Sequence, residues 1–243
     1  MEYGRRCRRV AAAKRIADIG IASVGIAVLV VLFIPICCAI RVSSSGPVIF
    51  RQTRVGVNRR SRQSAALHGA RRSVDIGGRP FVMYKFRSMR NTRDATAMLS
   101  FPGDQRITGV GAVLRRTHID ELPQFWNVLK GDMSVIGPRP EQVDISVRYV
   151  RDVDRYAQRM WNVKPGITGL AQILQGYINT IDDVARTAQL DTAYGSSLRS
   201  LWSWLKMDVW VTAITMRYLV SRWRPVAPAT AVPAPPLRSE HEQ

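Results

Sequence analysis

The feature that most constrains this chain is an apolar run from Ile19 to Ile40, interrupted only by small residues and Pro35. Roughly 20 such residues cross a bilayer as a helix, so the run is long enough to span. No small-residue cleavage site follows it, which argues against a removed signal peptide. Arg5, Arg6, Arg8, Arg9, Lys14 and Arg15 precede the run; Arg41, Arg51 and Arg54 follow it. Positive residues stay on the cytoplasmic face of a membrane. Basic flanks at both ends therefore suit a segment that enters and leaves on one face. Proline kinks or breaks a helix, and a bend inside a membrane must satisfy its own backbone groups. Two architectures fit equally on residues alone: a re-entrant hairpin broken at Pro35, and a bitopic helix kinked there.

Charge narrows the partners. The net charge is +18, which implies polyanions: nucleic acid, anionic lipid or phosphorylated substrates. Arginine far outnumbers lysine, and most arginines fall outside any motif, as a GC-rich coding sequence would leave them. A membrane-tethered basic binding module is the competing class, but no nucleic-acid motif is present and no specific nucleic-acid partner is expected. Cys7, Cys37 and Cys38 lack metal-ligand spacing and do not make a disulfide framework.

Along the chain, Ser43 to Pro47 reads as a turn. Val48–Phe50 and Phe81–Tyr84 read as short strands, a candidate hairpin, around an Arg-, Ser- and Gly-rich insertion from 58 to 80. Val110–Arg116 is a predicted helix. So is Asp120–Lys130, with Asp120 as N-cap, Pro123 in the first turn and Gly131 as the stop. Helices are also predicted over Ile145–Met160, Asp182–Tyr194 and Leu198–Val220. The last carries Trp202, Trp204 and Trp210, residues that suit a membrane interface as well as a core. Residues 223–243 are Pro- and Ala-rich and read as a disordered tail.

The segment from Lys85 to Gly169 carries the chemistry. Asp120 and Glu121 are adjacent carboxylates, and such neighbours repel unless cations or a metal hold them. One can attack phosphorus while the other acts as a base, and a helix start beside them favours an anion. Taken alone, the pair reads better as a helix cap. Its neighbours change that reading. Arg115 and Arg139 flank it, Gly137-Pro138-Arg139-Pro140 is a stiff turn able to aim a guanidinium, and Lys85 and Arg87 add cations. Arginine forks match phosphate oxygens, and phosphoryl transfer is mostly positioning and charge neutralisation.

Read in order, Lys-Phe-Arg-Ser-Met (85–89), Asp-Glu-Leu-Pro-Gln (120–124), Asn-Val-Leu-Lys-Gly-Asp-Met-Ser (127–134), Gly-Pro-Arg-Pro (137–140) and Pro-Gly-Ile-Thr-Gly (165–169) resemble the bacterial sugar transferase family, the monotopic polyprenyl-phosphate phosphoglycosyl transferases. Lys14–Asp18 and Gly46–Gln52 fit the same pattern, and the resemblance runs from Lys14 to about Arg222.

The resemblance implies an α/β, mostly helical catalytic domain over 42–222, seated on the cytoplasmic face of the cell membrane. It favours the re-entrant, proline-broken helix for residues 1–41. It implies a ping-pong reaction needing Mg²⁺. Asp120 attacks a UDP-sugar and expels UMP, and Glu121 serves as base when a polyprenyl phosphate in the inner leaflet displaces the phosphosugar. Arg115 and Arg139 stand where the family binds phosphate, Lys85 and Arg87 join them, and Asp120 is the Mg²⁺ contact. The product would start an exopolysaccharide or another glycan. This chain departs from the family at Thr117-His118-Ile119, where relatives usually read Ser-Leu; at Ile34, where many have Ser; and in the 58–80 insertion. Lacking a multi-span region before the apolar run, it reads as the minimal form.

Overall fold

The structure is a computed structural model that describes residues 2–58, 76–90, 104–175 and 180–222, with side chains from residue 8 to residue 221. The fold is α/β and mostly helical. Helix α1 (Glu2–Ser43) leads into a hairpin of β1 (Ile49–Val55) and β2 (Pro80–Phe86). Then come α2 (Gly109–Arg116), a 3-10 turn (Ile119–Glu121), α3 (Gln124–Lys130) and β3 (Ser134–Ile136). The chain continues with α4 (Val143–Asp152), a second 3-10 turn (Tyr156–Met160), β4 (Gly166–Thr168), α5 (Leu170–Leu174), α6 (Ile181–Ser197) and α7 (Leu201–Arg222). Most of the insertion (59–75) and the tail from 223 lie outside the described residues.

The expected hairpin is present: β1 and β2 pair antiparallel, with Ile49 opposite Phe86 and Val55 opposite Pro80. The expected long helix over Ile145–Met160 is divided instead. Val153 leaves helical geometry and Arg155 takes a left-handed φ of 59°, so the second part folds as a separate 3-10 turn.

The expected break of the N-terminal helix at Pro35 is not shown. Proline lacks the N–H of an interior helical residue, yet α1 is helical on both sides of it. Ile36 and Ile40 bury against Phe86 and Leu114, which holds the following turns in place. Among the described residues this is the one helix long and apolar enough to cross a membrane.

Helix α1 does not stand apart from the rest. Near its start, Lys14 Nζ donates to Asp208 Oδ2 at 2.8 Å on α7. The Arg15 guanidinium caps the C-terminal carbonyls of α3, Val128 O at 2.5 Å and Leu129 O at 2.7 Å. Cations are favourable at that end of a helix. Asp18 Oδ1 accepts from Ser134 Oγ and from the Val135 amide, both at 2.9 Å. Further along, Ala22 packs with Met83, Val128 and Met133. At Gly25 the Phe125 ring lies so close that a Cβ would stand 2.3 Å from it. Both basic flanks of the apolar run are thus fastened to one body. The opposite face of α1 leaves Ile16, Val24, Val31 and Ile34 exposed.

Replacing Asp18 by alanine leaves a buried hydroxyl and a half-buried amide without their acceptor. Each such loss costs about 1–3 kcal/mol, so Asp18→Ala should lower the midpoint of thermal unfolding by several degrees. Unchanged melting in detergent would show that these bonds do not fasten the helix.

Candidate active site

The site forms where the hairpin, α3 and the β3–β4 pair meet. Side chains alternate across a strand, so Phe50, Gln52 and Arg54 of β1 share a face with Phe81, Met83 and Lys85 of β2. Asn127, fully buried on α3, fixes this sheet. Its Oδ1 accepts from the Tyr84 amide at 3.1 Å and its Nδ2 donates to Val82 O at 2.7 Å. Gly131, at a φ of 88°, ends α3 as the sequence predicts. Amides 131 to 133 then fold back onto the Asn127 carbonyl.

Asp120 and Glu121 lie in the 3-10 turn, after His118 in left-handed geometry at a φ of 56°. The expected N-cap role for Asp120 is overturned: α3 starts at Gln124, its N-cap is Pro123, and no side chain caps it. The bend at His118 and the 3-10 turn take up the residues that a longer helix would have used. With seven residues, α3 offers no developed anion site at its start. Helix α2 begins at the Thr108 cap, whose Oγ1 accepts from the Gly111 amide at 2.9 Å. Arg115 stands in its last turn.

The two carboxyls sit in opposed environments. Asp120 is 8% exposed. Burial and the neighbouring Glu121 charge push its pKa up to about 6, against the pull of Lys85 and Arg115. Burial also presses Glu121 upward, but Lys85 and Arg139 outweigh it and hold this carboxyl below its ordinary value. Lys85 Nζ is 2.6 Å from Glu121 Oε1.

A narrow cleft opens beside the pair, lined by Arg54, Met83, Lys85, Glu121, Gln124, Arg139, Pro140, Gly166 and Ile167. Lys85, Glu121 and Arg139 therefore converge. Asp120 and Arg115 do not line the cleft; Asp120 adjoins Glu121 in the 3-10 turn, and the charge of Arg115 bears on it. Arg87 is elsewhere: it is buried, and its Nη2 donates to Ser44 O at 2.6 Å, tying the end of β2 to the end of α1.

Arg54 is the charged cleft residue outside the predicted site set; in the sequence it reads only as a basic flank. Its Nε and Nη2 donate to Gln52 Oε1 at 3.0 and 2.6 Å, and its Nη1 to Pro140 O at 3.2 Å. Burial and the nearby Arg139 charge lower its pKa to about 10. The register of β1 against β2 puts Gln52 and Arg54 on the same face as Lys85, and the predicted strand, ending at Phe50, does not reach them.

Interlocked glycines hold the Arg139 turn. The Gly137 amide donates to Thr168 O and the Gly166 amide to Pro138 O, both at 2.9 Å. A Cβ on Gly166 would stand 2.2 Å from Gly137 N, and one on Gly169 would stand 2.1 Å from Gly137 O. The Gly-Pro-Arg-Pro and Pro-Gly-Ile-Thr-Gly strings are thus two halves of one close backbone contact.

A sequence profile described as bacterial sugar transferase matches residues 9–222. The chain belongs to the bacterial sugar transferase family. Within that family it is similar to the UDP-N-acetylgalactosamine-undecaprenyl-phosphate N-acetylgalactosaminephosphotransferase of Aeromonas hydrophila, 39% identical over 209 residues, 86% of this chain and 44% of the relative. It is similar to the UDP-glucose:undecaprenyl-phosphate glucose-1-phosphate transferase of Escherichia coli K12, 38% identical over 187 residues, 74% of this chain and 35% of the relative. It is also similar to the protein of that name from Caulobacter vibrioides, 37% identical over 201 residues, 80% of this chain and 66% of the relative. The chain spans less than half the length of the first two of these relatives.

For this sugar transferase, the site offers carboxylate oxygens as metal donors. Among the described residues no group of three or more His, Cys, Asp or Glu side chains converges. That donor set fits a hard cation of the Mg²⁺ kind, which takes one or two carboxylates, keeps waters and shares the substrate's phosphates.

Proposed function

We propose that this chain transfers a phosphosugar from a UDP-sugar to a polyprenyl phosphate, releasing UMP, by way of a phosphosugar carried on Asp120. The observation that carries the reading is the cleft itself. Glu121 lines it with Lys85, Arg54 and Arg139, and the buried Asp120, of opposed proton affinity, adjoins Glu121, in a chain of the sugar transferase family.

Arg139 and Arg54 suit the diphosphate, because guanidinium forks match its oxygens. Asp120, once ionised, is a desolvated carboxylate of raised proton affinity and so a stronger nucleophile than an exposed one. Its oxygen bonds to the phosphorus bearing the sugar as the bond to the UMP oxygen breaks, and UMP leaves with that electron pair. In the second half the acceptor's phosphate oxygen attacks the same phosphorus and Asp120 departs as carboxylate. Glu121 is the base at hand. A phosphate monoester loses its second proton near pH ~6, so a mostly dianionic acceptor asks little of a base as weak as Glu121. Mg²⁺, held by Asp120 and the donor's phosphates, would neutralise charge developing on the diphosphate.

The same reading places the apolar face of α1 in a membrane. Both flanks of the run are fastened to one body, through Lys14, Arg15 and Asp18 before it and through Arg87 to Ser44 after it. That supports a re-entrant passage with the site on the inner leaflet at the cytoplasmic face, and exopolysaccharide or another glycan as the destination of the product.

The test is UMP release by protein in detergent with undecaprenyl phosphate, Mg²⁺ and a panel of UDP-hexoses and UDP-N-acetylhexosamines. At least one donor should give UMP. Because Asp120 attacks only when ionised, kcat/KM for the donor should fall about tenfold per pH unit below an inflection near pH 6. A profile flat down to pH 5, or no UMP from any donor, would count against the reading.

A further inference from the structure

Arg139 reaches the cleft on a segment that is neither helix nor strand, and its backbone is held from behind by a second arginine. Arg159, only 2% exposed, donates from Nη2 to the Arg139 carbonyl at 2.7 Å. Its Nη1 donates to Tyr156 Oη at 2.6 Å and its Nε to Asp191 Oδ2 at 2.7 Å. Asp191, on α6, is 1% exposed. The guanidinium is therefore gripped at three nitrogens by three separate parts of the chain, and it also lies over the Tyr156 ring, 5.0 Å from its centroid.

A buried ion pair of this kind adds little net stability, because desolvation offsets most of the attraction. Here the pair is not even fully satisfied: among the described residues Asp191 Oδ1 has no hydrogen-bond partner. What the arrangement does supply is geometry. A planar fork with three fixed acceptors can hold its third acceptor, the Arg139 carbonyl, in one place. From the other side Arg54 Nη1 holds Pro140 O, and the Val55 amide holds Glu141 O at 2.9 Å.

We infer that Arg159, anchored by Asp191 and Tyr156, is a positioning residue for donor binding: it fixes the Arg139 carbonyl so that the Arg139 guanidinium faces the diphosphate. This rests on the reading that Arg139 contacts the donor's phosphates.

The experiment is a double-mutant cycle on the full chain in detergent, with UDP as the probe and Kd and thermal midpoint as readouts. Arg139→Ala should weaken UDP by roughly tenfold, the loss of a charged hydrogen-bonded contact. Arg159→Lys keeps the charge and the Asp191 partner but loses the fork, and should weaken UDP by about three- to tenfold. In the Arg139→Ala background, Arg159→Lys should weaken it no further, because it acts only through Arg139. A purely structural Arg159 would give losses that multiply, and that result overturns the inference. So does wild-type UDP affinity in Arg159→Lys when Arg139→Ala is weakened. Wild-type affinity in Arg139→Ala instead removes the donor-site reading itself, and the positioning role with it. If Arg159→Lys does not yield folded protein, Tyr156→Phe carries the same cycle, with an expected weakening of about threefold that disappears in Arg139→Ala.

Discussion

Asp120→Asn should reduce UMP release by at least roughly a thousandfold, and at neutral pH it should leave the protein as stable as wild type or more so. The first half follows from chemistry. An amide oxygen carries no full charge and cannot form the acyl phosphate, and losing an attacking group typically costs about 10³-fold or more. Asparagine is isosteric, so the buried space is filled as before. The second half follows from linkage. The folded Asp120 has a pKa near 6, whereas an unfolded one titrates near 4. A group that holds its proton more tightly when folded favours the native state below its unfolded pKa and loses that contribution as pH rises through the folded one. By pH 7 the loss is on the order of 3 kcal/mol, and the neutral amide escapes it. A site that trades stability for a reactive carboxylate behaves in this way. UMP release at the wild-type rate would end the nucleophile assignment. A lower melting point at pH 7.5 would contradict the electrostatics but leave the chemistry standing.

The site was legible where chemistry is local in sequence, and hidden where strangers in sequence become neighbours. The adjacent acids, the stiff Gly-Pro-Arg-Pro turn and the lysine two places after Met83 could all be read from spacing. Arg54 could not be promoted in that way, because its role depends on the register that sets β1 against β2. Arg159 was invisible for a stronger reason: it sits in a stretch whose period read as a continuous amphipathic helix. The left-handed Arg155 turns that stretch inward, and nothing local announces the turn. The same limit explains Asp120. Propensity favours a cap, but the left-handed His118 ahead of it sets up a 3-10 turn, and tertiary packing decides between the two. Arg87 shows the converse limit: a cation beside motif residues reads as a substrate contact, whereas its place outside the cleft and its bond to Ser44 O depend on how two distant elements meet. At Pro35 helical residues stand on both sides, and Ile36 and Ile40 just beyond it pack on Phe86 and Leu114, contacts distant in sequence that no local rule about proline announces.

Gly166→Ala should remove both folding stability and donor binding together. The glycine is not required here for a left-handed backbone; it is required for room. A Cβ would lie 2.2 Å from Gly137 N, 2.4 Å from Thr168 O and 2.7 Å from Gly137 O, all of them backbone atoms. Side chains can rotate away from an added methyl, but a paired backbone cannot without breaking its ladder. Overpacking a core with extra methylenes typically costs about 1–3 kcal/mol, and an obstacle made wholly of backbone belongs at or above the upper end. In a chain of this size that corresponds to a fall in Tm of roughly 6–12 °C. The strands that must part are β4 and β3, which runs directly into Gly137 and so sets the height of Arg139 in the cleft. Surviving folded protein should therefore bind UDP at least about tenfold more weakly. Gly109→Ala is the control, because a Cβ there meets nothing within 4 Å, and both readouts should stay at wild type. If Gly166→Ala melted and bound like Gly109→Ala, the close contact between the two motifs would not be what aims Arg139.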